Sequence, residues 1–138
     1  MTFVLDASIA LAWCFSDEST PLTNGLLDNL ETASAIVPEL WSLEVSNILV
    51  TAERRKRISY ARIIEFLALI ENLNIKVDKE TSARGFREIL SLAHAEGLTS
   101  YDAAYLELAM RLGVPLATKD IQLLKAAKKL GVKEFKPV

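Results

Sequence analysis

Asp6 and Asp120 each follow a short apolar run, Phe3-Val4-Leu5 in one case and Val114-Pro115-Leu116-Ala117-Thr118-Lys119 in the other. Short apolar runs bounded by turn signals read as buried strands, so both aspartates are expected at strand ends. Glu44 and Asp102 lie in segments of helical pattern that can aim them at the same point. In open α/β sheets, ligands sit outside the carboxyl ends of the strands. Four carboxylates meeting there repel one another unless a hard cation holds them. These residues therefore point to a Mg²⁺ or Mn²⁺ site, and such ions suggest phosphodiester chemistry.

Each acid taken singly has a plain structural explanation. Asp6 can cap a helix starting at Ala7-Ser8, and Asp120 one starting at Ile121. Asp102 follows Thr99 by three residues, the position of the first-turn acid in a capping box. Glu44 can be a solvated mid-helix residue. Together these explanations weaken. Glu44 and Asn47 are i,i+3 neighbours on a helix whose Leu40, Leu43 and Val50 are expected to form a packed face. Asp102 is flanked by Tyr101, Ala103 and Ala104. Acids on packed faces need partners, and the first Lys or Arg of the chain is Arg54.

The 138 residues suffice for one domain with its own core, and 51% hydrophobic with 25% charged residues is a globular composition. No apolar run reaches the roughly 18 residues of a membrane span. No basic segment precedes the first apolar residues, so a secretory signal is not expected. The single cysteine, Cys14, excludes an internal disulfide, suits a reducing cytoplasm and reads as a small buried side chain. His94, the one histidine, falls at an expected exposed helix end with no second imidazole to make a metal pair. Net charge is −2, yet all 16 Lys and Arg follow residue 53. Such asymmetry can accompany a polyanion or a charged protein partner.

Punctuation by single Gly and Pro residues divides the chain into alternating strands and helices. Strands are expected at 2–5, 35–37, 75–77 and 115–117, with an edge strand possible at Glu134-Phe135. Helices are expected at 8–15, from a Ser19-Thr20-Pro21 start, at 39–56, 59–72, 79–95, from Thr99 or Ser100 to Leu112, and at 121–130. This alternation argues for an α/β fold with a parallel sheet covered on both faces.

Val4-Leu5-Asp6-Ala7-Ser8, Glu44-Val45-Ser46-Asn47, Ser100-Tyr101-Asp102-Ala103-Ala104-Tyr105 and Leu116-Ala117-Thr118-Lys119-Asp120 together resemble the PIN-domain pattern. The small size and the first motif are most similar to VapC toxins of toxin–antitoxin pairs. The resemblance spans nearly the whole chain. It implies a single PIN-like domain over residues 1–138, a three-layer α/β/α fold with a short central parallel sheet of four to five strands. It also implies a Mg²⁺- or Mn²⁺-dependent endoribonuclease in the cytoplasm, with RNA as substrate and a VapB-like antitoxin as partner. Asp6, Glu44, Asp102 and Asp120 match the family's acidic quartet of metal and catalytic residues. Ser8 and Thr118 match its small hydroxyl positions, and Asn47 matches a polar neighbour of the glutamate.

Arg54, Arg55, Lys56 and Arg57 form a basic run that can grip RNA phosphates or complement a helix end. Lys125, Lys128, Lys129 and Lys133 present the same choice. Trp13 and Trp41 are expected in the core rather than stacked on bases. Tyr60, Ile63, Ile64, Phe66, Leu67, Leu69 and Ile70 are too many for one helical stripe, which suggests a central helix or a protein interface such as a homodimer or an antitoxin contact. The rival reading is a non-catalytic or phosphoryl-binding α/β module with an acidic metal pocket. An aspartyl-phosphate enzyme usually has an acid two residues after its nucleophile, where this chain has Ser8. Asp78, beside Lys79 and Glu80, reads as a helix cap rather than a phosphoacceptor.

Overall fold

The computed structural model describes residues 1–137. Four strands, β1 (Thr2–Leu5), β2 (Ser34–Pro38), β3 (Ile75–Asp78) and β4 (Leu116–Ala117), form one parallel sheet in the order β3-β2-β1-β4. Val4 stands opposite Ile36 on one side and Leu116 on the other. Helices α1 (Ala7–Cys14) and α2 (Pro21–Asn29) connect β1 to β2, and α3 (Trp41–Arg54) and α4 (Tyr60–Glu71) connect β2 to β3. Three helices, α5 (Thr81–Arg84), α6 (Leu90–Glu96) and α7 (Ser100–Leu112), lead to β4, and α8 (Ile121–Lys129) follows it. Phe3, Val4 and Leu5 have no exposed surface, so both faces of the central strand are covered.

The strand order has one consequence for function. The first two crossovers step away from β1 in one direction, and the third returns to its other side. Right-handed connections then place α1–α4 on one face and α7 on the other. The order reverses between β1 and β4, and a crevice opens at such a switch point beyond the carboxyl ends of the strands. Asp6 follows β1, and the Thr118-Lys119-Asp120 loop follows β4.

Local chemistry sets the helix ends. Thr20 and Thr23 form a reciprocal capping box behind Pro21, and the Ser59 hydroxyl accepts from the Arg62 N–H. The Thr99 hydroxyl accepts from the Asp102 N–H at 3.1 Å, and Asp120 caps α8 through Leu123 N–H at 2.9 Å. Gly97 and Gly113, both at φ 66°, end α6 and α7 in the left-handed conformation that glycine adopts without strain. Trp13, Trp41 and Cys14 are buried and His94 is exposed, as the sequence leads one to expect. Glu134 adds a single parallel bridge to Leu116 beyond β4 rather than a full strand. Among the described residues no helix is long and apolar enough to cross a membrane.

Two expectations need correction. The packed face of α3 is Trp41, Val45, Leu49 and Ala52, whereas Leu43, Asn47 and Val50 are exposed. The pattern 41, 45, 49, 52 is an equally regular helical stripe, and the sheet selects it. The helix expected over 79–95 is broken into α5 and α6 by a π-helical turn at Gly85–Ile89, which shifts the face that each half presents. Of the two readings open for α4, a central helix does not hold: it buries only Ile63 and Phe66 fully, and most of its apolar residues meet solvent or lie half-buried.

An ion network ties the far edge of the sheet to α7. Arg111 holds Asp78 at 2.8 Å and Glu107 at 3.0 Å, with all three side chains largely buried. The Arg111 guanidinium keeps the Asp78 carboxyl below its ordinary range. Arg111→Ala removes the close partner of two shielded carboxylates, leaving Glu107 only Arg84 at 3.7 Å, and is expected to cost about 3 kcal/mol in urea unfolding. Lys129→Ala breaks a solvated pair with Glu96 and should cost no more than about 0.5 kcal/mol. Equal losses would show that the Arg111 network carries no special weight.

Candidate active site

Asp6 occupies the position before α1 where a capping side chain would sit, yet it makes no capping hydrogen bond. Its backbone N–H donates to Ala117 at 3.0 Å, extending the β1–β4 pairing by one step. Its Oδ2 accepts from the Ser8 hydroxyl at 2.9 Å and from the Thr118 hydroxyl at 2.5 Å. The same two hydroxyls organise the opposite loop. Thr118 Oγ1 accepts from the Asp120 N–H at 3.0 Å, and Ser8 Oγ accepts from the Lys119 N–H at 3.1 Å. Asp6, Ser8 and Thr118 thus join the loops after β1 and β4 into one unit.

Burial is the main force acting on the Asp6 carboxyl and pushes its pKa up. The two hydroxyls pull it back in part, and the nearby Asp120 charge pushes it up further. Glu44, on the first turn of α3, is also shifted up, first by burial and then by the charges of Asp6 and Asp102. Its Oε1 accepts the Tyr105 hydroxyl at 2.5 Å, which opposes that shift. Asp102, on the first turn of α7, rises from 3.8 to about 6 through burial and the charges of Asp6 and Asp120. Asp6, Glu44 and Asp102 each feel another acid of the four, and Asp120 acts on Asp6 and Asp102. They come from four different elements and reach one patch at the carboxyl edge of the sheet. None of them has a salt-bridge partner among the described residues.

The donors gathered here are oxygens only, which suits a hard divalent cation and not zinc or copper. Among the described residues no three acidic, histidine or cysteine side chains are drawn together into a ready-made cage. The quartet shares an electric field rather than a closed coordination shell. That arrangement fits an ion such as Mg²⁺, which keeps several waters and completes its shell with one or two carboxylates and substrate phosphate oxygens.

The remaining sequence candidates are placed as follows. Asn47 is exposed one turn beyond Glu44 and has no hydrogen-bond partner among the described residues. Arg54, Arg55 and Lys56 are exposed at the far end of α3, roughly 15 Å from Glu44 by helical rise. Arg57 is engaged elsewhere: it pairs with Asp17 and Glu18 and stacks over Phe15 at 4.0 Å. Tyr105 has a role that the sequence reading did not assign. Fully buried, it spends its hydroxyl on Glu44, and burial beside that acid drives its own pKa far up. A signal was present, because Tyr105 lies three residues after Asp102 on the same helical face.

The PIN domain family model matches residues 3–129. No curated protein matches the chain. Among solved structures, the chain is similar to the crystal structure of PAE2754 from Pyrobaculum aerophilum, with a TM-score of 0.70 and 24% sequence identity over 97% of this chain and 83% of that one. At that identity the likeness speaks to the fold, a parallel four-stranded sheet flanked by helices, while the family match covers almost every residue described above. The chain belongs to the PIN-domain family, whose members are typically nucleases.

Proposed function

We propose that residues 1–138 form a single domain acting as a Mg²⁺- or Mn²⁺-dependent endoribonuclease, the toxin of a VapBC-type pair in the cytoplasm. The observation that carries the reading is a set of converging acids, at a topological switch point, with raised pKa values and no cationic side chain to balance them. Asp6, Glu44, Asp102 and Asp120 would hold the ion. A divalent ion bound there would acidify a water nucleophile and neutralise charge building up on the phosphate.

The chain's own residues do the positioning. Ser8 and Thr118 fix one face of the Asp6 carboxylate, and Tyr105 fixes the Glu44 carboxylate. Asp120 spends one oxygen on the α8 cap and keeps its other oxygen free for the site. The only histidine, His94, is exposed on α6, which packs against α7, and among the described residues it makes no hydrogen bond to the four acids, so this reading assigns proton transfer to carboxylates and water.

Exposed apolar surface supports the partner part of the proposal. Trp41, Val45 and Leu49 of α3 and Ile63, Leu67 and Ile70 of α4 line a groove of about 350 Å³. An apolar antitoxin segment fits such a groove, and exposed Leu43, Tyr60 and Ile64 add surface that a homodimer can cover. Light scattering on the eluted protein should then give twice the 15.3 kDa chain mass, and a strict monomer removes the homodimer.

Asp6→Asn is expected to lower Mg²⁺-dependent cleavage of RNA by at least about 100-fold while leaving the melting temperature unchanged or higher. Retained cleavage by the purified variant would falsify the assignment of this centre.

The raised pKa values set a pH dependence of known sign. Between its ordinary value of 3.8 and its folded value of about 6, Asp102 holds more protons in the folded than in the unfolded state. Stability therefore falls as pH rises through that window, and Asp6 and Glu44 act in the same direction. In chelator, Asp102→Asn should match wild type near pH 4 and melt higher at pH 7.5. Mn²⁺ at a hundredfold its Kd should stabilise wild type at pH 7.5 by about 2.7 kcal/mol, or roughly 10 °C, and have little effect at pH 4. A melting gap that ignores both pH and metal would remove the electrostatic account.

A further inference from the structure

The chain carries a second charged feature outside the acidic patch. A groove of about 640 Å³ runs between α8 and the segment that follows it. Lys125 and Lys128 line it from α8, and Lys133 and Lys136 line it from the opposite wall. All four are exposed, and none has a salt-bridge partner among the described residues. Arg57, Arg62, Arg84, Arg111 and Lys129 each hold a carboxylate, while Arg54, Arg55, Lys56, Lys76, Lys79 and Arg87 have no salt-bridge partner among the described residues but do not line this groove. Glu134 is the one acid in the groove lining. On a chain of net charge −2, this is a concentrated positive surface.

The groove also leads somewhere. Ile121, 69% exposed at its upper end, directly follows Asp120 of the acidic patch. The opposite wall is anchored beside β4: Leu116 donates to Lys133, Phe135 donates to Leu116, and Phe135 stacks on Phe3 at 4.1 Å. Because this segment runs parallel to β4, Lys136 lies toward the carboxyl edge where the acids gather. Both walls rise toward the same centre.

We propose that this groove is the track for the backbone of a single-stranded RNA whose scissile phosphate lies at the acidic patch. The inference rests on the ribonuclease reading for the identity of the scissile bond, but the binding itself does not. Four unpaired ammonium groups, with little aromatic surface among them, suit phosphates rather than bases and give affinity without sequence preference. An acidic peptide would meet the same charges, but nothing would direct it to the carboxylate patch at the groove's end. Phosphates can enter that patch once a divalent ion is present.

The test uses the full chain in excess chelator, with a fluorescent single-stranded RNA of about 12 nucleotides, within the span that such tracks cover. Replacing Lys125, Lys128, Lys133 and Lys136 by Ala should weaken binding by at least about tenfold. It should also reduce the slope of log affinity against log salt by about 3, close to 0.7 per lost contact. The variant's circular dichroism and melting temperature should match wild type, since all four side chains are solvated. With Mg²⁺ and saturating RNA, kcat should stay unchanged while KM rises. If wild type binds RNA with the expected slope but cleaves nothing, the ribonuclease reading fails and the track stands. Unchanged affinity and slope in the lysine variant overturn the track whatever the cleavage result. If that variant then loses binding to poly-glutamate, the groove is a protein-docking surface. An Arg54→Ala, Arg55→Ala, Lys56→Ala variant is the control, and the proposal also fails if the salt slope resides there instead.

Discussion

The buried Asp6 carboxylate is the constraint on which the rest of this structure depends. It lies at the end of a central strand, 6% exposed, with no cationic partner. Hydrogen bonds from Ser8 and Thr118 compensate its burial only in part, since its pKa remains raised. Charge-assisted hydrogen bonds are the strongest that neutral hydroxyls can offer a carboxylate. Even so, the fold keeps a carboxyl group where its charged form is poorly solvated and crowds further acids around it. A chain optimised only for stability would place an apolar side chain there. Departures of this kind, where local rules conflict with the global fold, concentrate at functional sites.

Topology explains why such a patch can exist at all. Parallel strands deliver their carboxyl ends to one edge, and the order β3-β2-β1-β4 separates the chain above β1 from the chain above β4. The crevice between them needs a bridge, and the hydroxyls of Ser8 and Thr118 supply it. On the flanks, the first turns of α3 and α7 bring in Glu44 and Asp102, and Tyr105 locks one helix to the other through Glu44.

Much of this was legible in the sequence, and the illegible part has a physical pattern. Strands and caps are local, so Leu5, Thr20, Thr99 and Asp120 announced their roles within a few residues. The four acids could each be marked, but whether Asp6 caps α1 or faces the crevice depends on Thr118, which lies 112 residues away. The packed face of α3 was misjudged because two apolar stripes share one helix, and only the sheet and α4 decide between them. The π-helical turn at Gly85–Ile89 carries no periodicity signal that a simple helix would lack. Tyr105 ends the Ser100-Tyr101-Asp102-Ala103-Ala104-Tyr105 motif without a role legible in the sequence, since its hydroxyl matters only once Glu44 arrives from another element.

Net charge was the least informative number of all. A value of −2 argues against a polyanion ligand only if charge is spread evenly, and here it is not. Repulsion between the acidic patch and a phosphate backbone is screened over about 10 Å at 0.1 M salt. Lys128 lies eight residues along α8 from Asp120, roughly 12 Å by helical rise, so the lysine groove begins beside the patch and extends past the reach of its field. A strand held at the far end of the groove is attracted, while the same strand at the near end is repelled until a divalent ion inverts the local sign. On the proposed reading, binding and chemistry would be given to different charges on one helix: the lysines along α8 would retain the polyanion, and the acid at its cap would admit the phosphate once a divalent ion is in place.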